Sequence, residues 1–394
     1  MGSIASSGSR VARTFDLAVV GAGIAGLGVA LAAARAGRKV VVIERDSRAN
    51  GASIRNFGFV TVTGQRGGAH WARARRSRDI WAEIAPRAGI PVLQHGLVMP
   101  AYRQEAADVL HAFLRTEMGA ECRLIDRAEA IRRLPLLRTE GLREVLFSPH
   151  ELRVESREAL PQLARWLGAA LGVEFRWNTT ALSVEDRGVA TSTGFIAADA
   201  TVVCPGDCFT ALYPDVIARH ALQVCTLQML RVTGESAPRM ESVVMSDRSC
   251  ARYEGFTALP EAAALQARLD LEKRALRDFG VHLIAVQSSD GSLVVGDSHV
   301  YGACAEPFAR AEIEEMILAA MDEVLVLPER RVSERWTGSY AYSPTRAVLV
   351  ERPAKNVRLV MVTGGTGAST GLALGEQVVA DLFHPSAAIA QALQ

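Results

Sequence analysis

The 394-residue chain carries 44 Lys and Arg against 43 Asp and Glu, is 49% hydrophobic and 22% charged, and contains six cysteines. A net charge of +1 leaves no electrostatic case for nucleic acid or an anionic membrane as partner, and the composition is that of a globular chain with one large or two intimately joined domains. No C-x-x-C pair occurs, and Cys204 and Cys208, four apart, have no second Cys/His pair at metal-ligand spacing; neither a disulfide framework nor a metal site is expected, and reduced thiols point to a cytoplasmic protein.

In chain order, the opening Met1-Gly2-Ser3-Ile4-Ala5-Ser6 matches a myristoylation pattern but reads more plainly as a disordered Ser/Gly tail. Residues 15–20 form an apolar run suited to a buried parallel strand. The run empties into Gly21-Ala22-Gly23-Ile24-Ala25-Gly26, a helix is predicted over 27–35, Gly37 ends it, and a second strand over 39–43 closes with Glu44-Arg45. Gly21 allows the tight turn, Gly23 lets backbone approach a pyrophosphate, and Gly26 lets the helix pack close to the strand. The helix start then offers unpaired N–H groups and a positive dipole end to phosphates. Glu44 stands where a carboxylate can accept hydrogen bonds from a ribose diol, roughly twenty residues after the glycines. This order predicts a dinucleotide-binding unit. The apolar stretch over 17–37 is broken by glycines and is not a membrane span. The basic run Arg73-Ala74-Arg75-Arg76-Ser77-Arg78 lies among Trp71, Ile80, Trp81 and Ile84 at helical spacing, and reads as a solvated helix face.

Further on, residues 198–203 form a buried strand ending at Cys204-Pro205-Gly206. Another strand over 357–362 empties into Thr363-Gly364-Gly365-Thr366-Gly367, and an apolar helix is predicted over 372–382. Two late strand-to-glycine segments imply that the chain returns twice to the dinucleotide unit. A flavin needs such returns, because its ring system lies far from the adenine and must be gripped at its pyrimidine edge. Backbone N–H groups between Gly365 and Thr370, across Ala368 and Ser369, suit that edge at a helix start. FAD is therefore expected rather than NAD.

These segments together resemble the D-amino acid oxidase superfamily of flavoproteins, which includes glycine oxidase and sarcosine oxidase, over roughly residues 14–383. Gly51-Ala52-Ser53-Ile54-Arg55-Asn56-Phe57-Gly58 is similar to the family's loop along the flavin. The resemblance implies an α/β fold: a Rossmann-type FAD-binding domain (14–89, 152–221, 332–394) and an α+β substrate domain built on an antiparallel sheet (90–151, 222–331). Strand-like runs at 222–232, 281–287 and 292–296 suit that sheet, with a mostly helical excursion at 255–279. Ala181 and Gly338 are expected at the cofactor as well. Asn56-Phe57-Gly58, Thr63-Gly64-Gln65, Gly291-Ser292-Leu293-Val294-Val295-Gly296-Asp297-Ser298-His299 and Glu334-Arg335-Trp336-Thr337-Gly338-Ser339-Tyr340-Ala341 resemble a branch associated with aminophosphonate breakdown, which implies N-methylated aminoethylphosphonates as substrates.

Two departures from other members carry information. Glycine oxidase-like members have a carboxylate-pairing arginine two residues after the equivalent of Gly338; this chain has Tyr340, and its late glycine cluster also lacks arginine. Sarcosine oxidase-type members attach their flavin through a cysteine in the C-terminal segment; none follows Cys304 here, so FAD is expected to be non-covalent. The implied reaction is hydride transfer from a small primary or N-methylated amine to FAD, with no obligatory protein acid or base. The resulting imine hydrolyses to an aldehyde, and oxygen is reduced to hydrogen peroxide. Alternatives are a glycine/sarcosine-type amino acid oxidase, or an amine dehydrogenase using a quinone or carrier. For an anionic substrate end the candidates are Arg252, Tyr253, His299, Tyr301, Tyr340 and Arg346, with Arg55 serving flavin or substrate. Oligomeric state is not encoded in these patterns.

Overall fold

The computed structural model describes residues 14–235 and 237–393; the N-terminal Met1–Ser6 pattern lies outside them. The chain opens with β1 (Phe15–Val20), α1 (Ile24–Arg35) and β2 (Val40–Ile43). Leu17, Val19, Val40 and Val42 are all 1% exposed or less. Strands covered on both faces need apolar residues at consecutive positions, which is why these read as continuous runs.

After α2 (Ala69–Arg87) come β3 (Val92–Ala101) and β4 (Glu144–Val154), and then α3 (Ser156–Leu171) returns the chain to β5 (Glu174–Arg176) and β6 (Gly194–Val203). The segment that follows holds β7 (Gln223–Thr233), β8 (Val243–Met245), β9 (Ile284–Gln287), β10 (Leu293–Gly296) and β11 (Val300–Gly302). The excursion expected at 255–279 is three short helices, Glu254–Thr257, Ala262–Glu272 and Arg274–Asp278. Last come α4 (Ala311–Val324), β12 (Arg331–Tyr342), β13 (Val348–Ala354), β14 (Val357–Val362) and α5 (Gly367–Phe383).

Among the described residues the strands form two large sheets. The first runs β13-β14-β6-β1-β2-β5, parallel throughout except for β13. The second runs β11-β7-β10-β9-β8-β3-β4, with β12 paired antiparallel along β7. Alternation along β7 divides its side chains between two cores: Cys225, Leu227 and Met229 face one, Leu230 and Val232 the other. The expected boundaries at residues 152 and 332 meet this second sheet. β4 crosses the first of them, and β12 lies beyond the second yet pairs with β7. Phe59–Val60 also pairs with β4.

α2 departs from the solvated face expected of its basic run. Arg73 is 4% exposed, its Nε donating to Gln377 Oε1 of α5 at 2.7 Å, while Arg75 and Arg76 sit outside in ion pairs with Glu121 and Glu376. The helix is wedged between α5 and the second sheet, so one arginine of the run faces inward. No helix among the described residues is long and apolar enough to cross a membrane.

α5 is also pinned to the first sheet by charge. Asp381, fully buried, accepts from Arg358 Nε at 2.6 Å and from Arg352 Nη2. Removing the carboxylate leaves the buried Arg358 guanidinium uncompensated, which costs about 3–5 kcal/mol. Asp381→Ala is therefore expected to lower unfolding stability by about that amount in a urea titration; a change within experimental error would show the pair to be dispensable.

Candidate active site

β1, β2, β6 and β14 run parallel and end at one edge, where Val20, Ile43, Val203 and Val362 line a cavity of about 530 Å³. β1 lies between β2, its immediate successor, and β6, reached much later in the chain; ligands of open α/β sheets gather at such a reversal. Two positions of the turn after β1 have no room for a side chain. At Gly21 (φ +102°) a Cβ would lie 2.4 Å from the Cys204 carbonyl oxygen, and at Gly26 it would lie 1.9 Å from that of Gly21. Glu44 holds the turn in shape: Oε2 accepts the Ala22 N–H at 2.8 Å and Oε1 that of Asp46 at 3.1 Å. Each oxygen keeps a second lone pair, and Glu44 lines the cavity. Ser53 Oγ accepts the Ile24 N–H at 2.9 Å, fixing the following loop over the start of α1.

The residues expected at the cofactor gather along this wall. Gly21, Gly23, Ile24, Ala25 and Gly26 line the cavity, as do Glu44, Arg45, Ser53, Arg55, Asn56, Phe57 and Gly58. So do Ala181, Cys204, Pro205, Gly206 and Gly338, and the late cluster Gly364, Gly365, Thr366, Gly367, Ala368 and Ser369. Ala22 and Thr370 do not. Both are fully buried, Ala22 with its N–H on Glu44, and Thr370 with its hydroxyl donating to the Thr366 carbonyl at 2.9 Å. α5 begins at Gly367, five residues before the expected 372, so the glycine cluster is itself the helix start. The Ser369 and Thr370 N–H groups turn back onto the Thr366 carbonyl. The Gly367 and Ala368 N–H groups are left without a partner among the described residues, at the positive end of a long helix. Trp81, which donates to the Ala368 carbonyl at 3.1 Å, also lines the cavity.

The opposite wall comes from the second sheet. In the β7–β12 pair Gly338 stands opposite Leu227 and Tyr340 opposite Cys225, on the face that looks into the cavity. Tyr340 lies against Gly365, where a Cβ would come within 2.9 Å of its ring. Burial raises its phenol well above the usual range, so the hydroxyl stays protonated. Arg252 donates to the Tyr301 hydroxyl at 3.1 Å, and no carboxylate oxygen of a described residue lies within 4.0 Å of its guanidinium. Tyr301 packs on Tyr342 with ring centroids 4.2 Å apart. Tyr253 meets the His282 ring edge-on at 5.5 Å, and Arg346 is exposed at the cavity's rim.

Sequence reasoning did not assign roles to His282 or Asp297, yet both line the cavity with His299. One polar atom of each lies within 4.8 Å of the other two. His282 Nε2 is 3.5 Å from Asp297 Oδ1, and His299 Nε2 is 3.7 Å from Oδ2. His299 Nδ1 is 3.1 Å from the Gly280 carbonyl, which can only accept; that places the ring proton on Nδ1 and a lone pair on Nε2. His282 Nδ1 is 2.9 Å from Ser249 Oγ. Burial, aided by Arg252, holds both histidines well below 6.5, so both are neutral. Burial pushes Asp297 up to about 7, against the opposing pull of Arg252. Asp297 Oδ1 is buried without a hydrogen-bond partner. The members of this group come from two strand ends some fifteen residues apart, and a search for close-spaced ligand pairs passes over them; Asp297-Ser298-His299 directly after an apolar strand was the available signal.

A sequence profile described as "FAD dependent oxidoreductase" (DAO) matches residues 16–382. Among solved structures, the chain is similar to glycine oxidase from Bacillus cereus, with 18% identity, a TM-score of 0.74, and 93% of this chain and 94% of that one covered. L-proline dehydrogenase from P. horikoshii gives 18% identity and a TM-score of 0.73, covering 95% and 94%. Iminodiacetate oxidase from Chelativorans sp. BNC1 gives 18% and 0.70, covering 92% and 94%. No curated protein sequence matches the chain.

Proposed function

Because the chain belongs to the FAD-dependent oxidoreductase (DAO) family, we propose that it oxidises a small primary or N-methylated amine bearing a phosphonate, N-methyl-2-aminoethylphosphonate being the representative. The product is an imine that hydrolyses to an aldehyde, and oxygen is the electron acceptor, leaving as hydrogen peroxide. The residues fit the family's cofactor. The side-chain-free turn at Gly21 and Gly26 suits a pyrophosphate, the spare lone pairs of Glu44 suit a ribose, and the unpartnered N–H groups of Gly367 and Ala368 suit an electron-rich ring edge. FAD, when bound, supplies the two-electron oxidant. It is held without a covalent bond in this proposal, since no cysteine follows Cys304. Ser53→Ala removes the hydroxyl that ties the loop to α1, a bond worth about 1 kcal/mol; FAD affinity is expected to fall roughly fivefold in a fluorescence titration, and unchanged affinity would show the loop to be held otherwise.

The observation that carries the substrate class is Arg252. A half-buried guanidinium with no carboxylate within 4.0 Å is a charge left facing the cavity, and an anionic substrate group pairs with it. Tyr301 accepts from Arg252 and keeps its own proton to donate, while Tyr340 offers a second hydroxyl from β12. These donors suit the three oxygens of a phosphonate. Arg252 would also pair with a carboxylate, which keeps a glycine/sarcosine-type oxidase as the second reading. Anaerobic flavin bleaching separates the two: N-methyl-2-aminoethylphosphonate is expected to reduce the enzyme at least about tenfold faster than sarcosine, a difference of about 1.4 kcal/mol. Faster reduction by sarcosine would overturn the phosphonate assignment. Admitting air should then release peroxide; reoxidation only by added quinone would make the enzyme a dehydrogenase.

A further inference from the structure

We propose that Asp297 is the group that receives the substrate's ammonium end, binding the cation and accepting one proton from it, with His282 and His299 flanking the carboxylate. This rests on the reading of the substrate as an amine with an anionic tail.

The geometry has three parts. Asp297 lines the same cavity as Arg252, and its Oδ1 is buried with no hydrogen-bond donor, an arrangement that is expensive for a carboxylate unless a ligand completes it. His282 and His299 flank the two oxygens at 3.5 and 3.7 Å, with stacked rings 5.7 Å apart. With its proton committed to the Gly280 carbonyl, His299 presents a lone pair to Asp297, so it donates nothing to the carboxylate and leaves that charge for a ligand to meet. The wall therefore offers a carboxylate and a guanidinium more than 4.0 Å apart, each without an ion-pairing partner of full charge. A zwitterion with an anion at one end and an ammonium at the other matches both.

Apart from Arg252, the titratable groups facing Asp297 are neutral at physiological pH. His282 comes from the segment before β9, His299 from that after β10, Tyr253 from the turn after Arg252, and Cys225 from β7. Burial lowers the two histidines, raises Tyr253, and pushes the Cys225 thiol up to about 12. Tyr301 and Tyr340, beside Arg252, are raised by burial as well. Arg252 is the one cation that acts on Asp297.

The step is simple. An aliphatic ammonium, with a pKa of about 10, is almost wholly protonated at neutral pH and cannot give up a hydride while its lone pair is occupied. An N–H bond breaks, an O–H bond forms on Asp297, and the amine keeps the electron pair that later becomes the second bond of C=N. The opposite charges cancel inside the cavity. A carboxyl poised near 7 accepts this proton and releases it again at neutral pH. Because burial has raised its pKa, the acceptor is present above about pH 7 and is lost as pH falls through that value.

The test is Asp297→Asn in the FAD-loaded protein, which keeps the shape and removes the acceptor. Anaerobic flavin reduction by N-methyl-2-aminoethylphosphonate is expected to fall roughly a hundred- to ten-thousandfold at pH 7.5. The variant's rate should climb tenfold per pH unit towards the amine's own pKa, whereas the wild type levels off just above neutrality. A uniform loss with the wild-type pH profile would mark a merely structural residue and overturn the proposal. A second readout needs no turnover. The quaternary 2-(trimethylammonio)ethylphosphonate, which has no N–H, should perturb the wild-type flavin spectrum with at least tenfold higher affinity than that of the variant; equal affinities would also overturn it. Should no amine bleach the wild type, the substrate assignment falls while this binding comparison still decides the role of Asp297. A stoichiometric divalent metal in the purified protein that the variant lacks would make the carboxylate a metal ligand, and would equally defeat the proposal.

Discussion

Gly26→Ala is expected to give a folded protein that purifies without its yellow colour. The added Cβ would lie 1.9 Å from the Gly21 carbonyl oxygen, a backbone atom that cannot rotate aside. Overpacking against movable side chains costs about 1–3 kcal/mol, and a backbone obstacle puts this site at the upper end. The strain falls where the start of α1 meets the turn after β1. Relief there moves the Gly21–Gly23 backbone and the Ala22 N–H held by Glu44. FAD affinity should drop roughly a hundredfold or more, about 3 kcal/mol, in a titration followed by flavin fluorescence. Circular dichroism and a cooperative melt check that the chain is folded. A folded variant that still carries stoichiometric FAD would show that the pyrophosphate is held elsewhere.

Arg252→Met is expected to have the second large effect, on substrate rather than cofactor. The substitution keeps much of the apolar stem and deletes the charge. Truncating one partner of an enclosed charge pair costs about 2–5 kcal/mol, so kcat/KM for N-methyl-2-aminoethylphosphonate should fall roughly a hundred- to a thousandfold. Above the acid limb, simple N-methylalkylamines without an anionic group should be oxidised about as well as by the wild type. FAD content should be unchanged. Stability should hold or rise, because the guanidinium has no carboxylate partner in the free enzyme. The pH profile adds a sign. Arg252 pulls Asp297 downward, so removing it lifts that carboxyl further above about 7, and the acid limb of flavin reduction should move to higher pH. An unaltered kcat/KM with an unaltered acid limb would remove Arg252 from the substrate site.

The parts of this fold that could be read from the chain are those where one local pattern has one physical use. β1, β2, β6 and β14 are covered on both faces and must be apolar at successive positions, and the turn after β1 admits only glycine at Gly21 and Gly26. What stayed hidden depends on contacts between distant segments. The run from Gly367 to Gly371 masks the first turn of α5, because its Gly, Ser and Thr residues score poorly for helix and the turn is held by packing against α1 and α2. Arg73 looks solvated by composition, and only its burial against Gln377 reveals otherwise. β12 continues from its pairing with β7 towards the glycine cluster, where Tyr342 bridges Gly364, so a boundary drawn at residue 332 parts the strand from the sheet it pairs with. His282 and Asp297 come together because β9 and β10 are antiparallel neighbours, with Ile284 opposite Gly296, and that register brings the residues just outside each strand to one corner.

In the proposed function one cavity brings the family's FAD together with an amine that has an anionic tail. Anaerobic titration of the FAD-loaded protein with N-methyl-2-aminoethylphosphonate, watched at the visible flavin band, tests this most directly. Complete bleaching is expected at about one equivalent of substrate per flavin. A band that persists through excess of this compound, and through a panel of primary and N-methylated aminophosphonates, would contradict it.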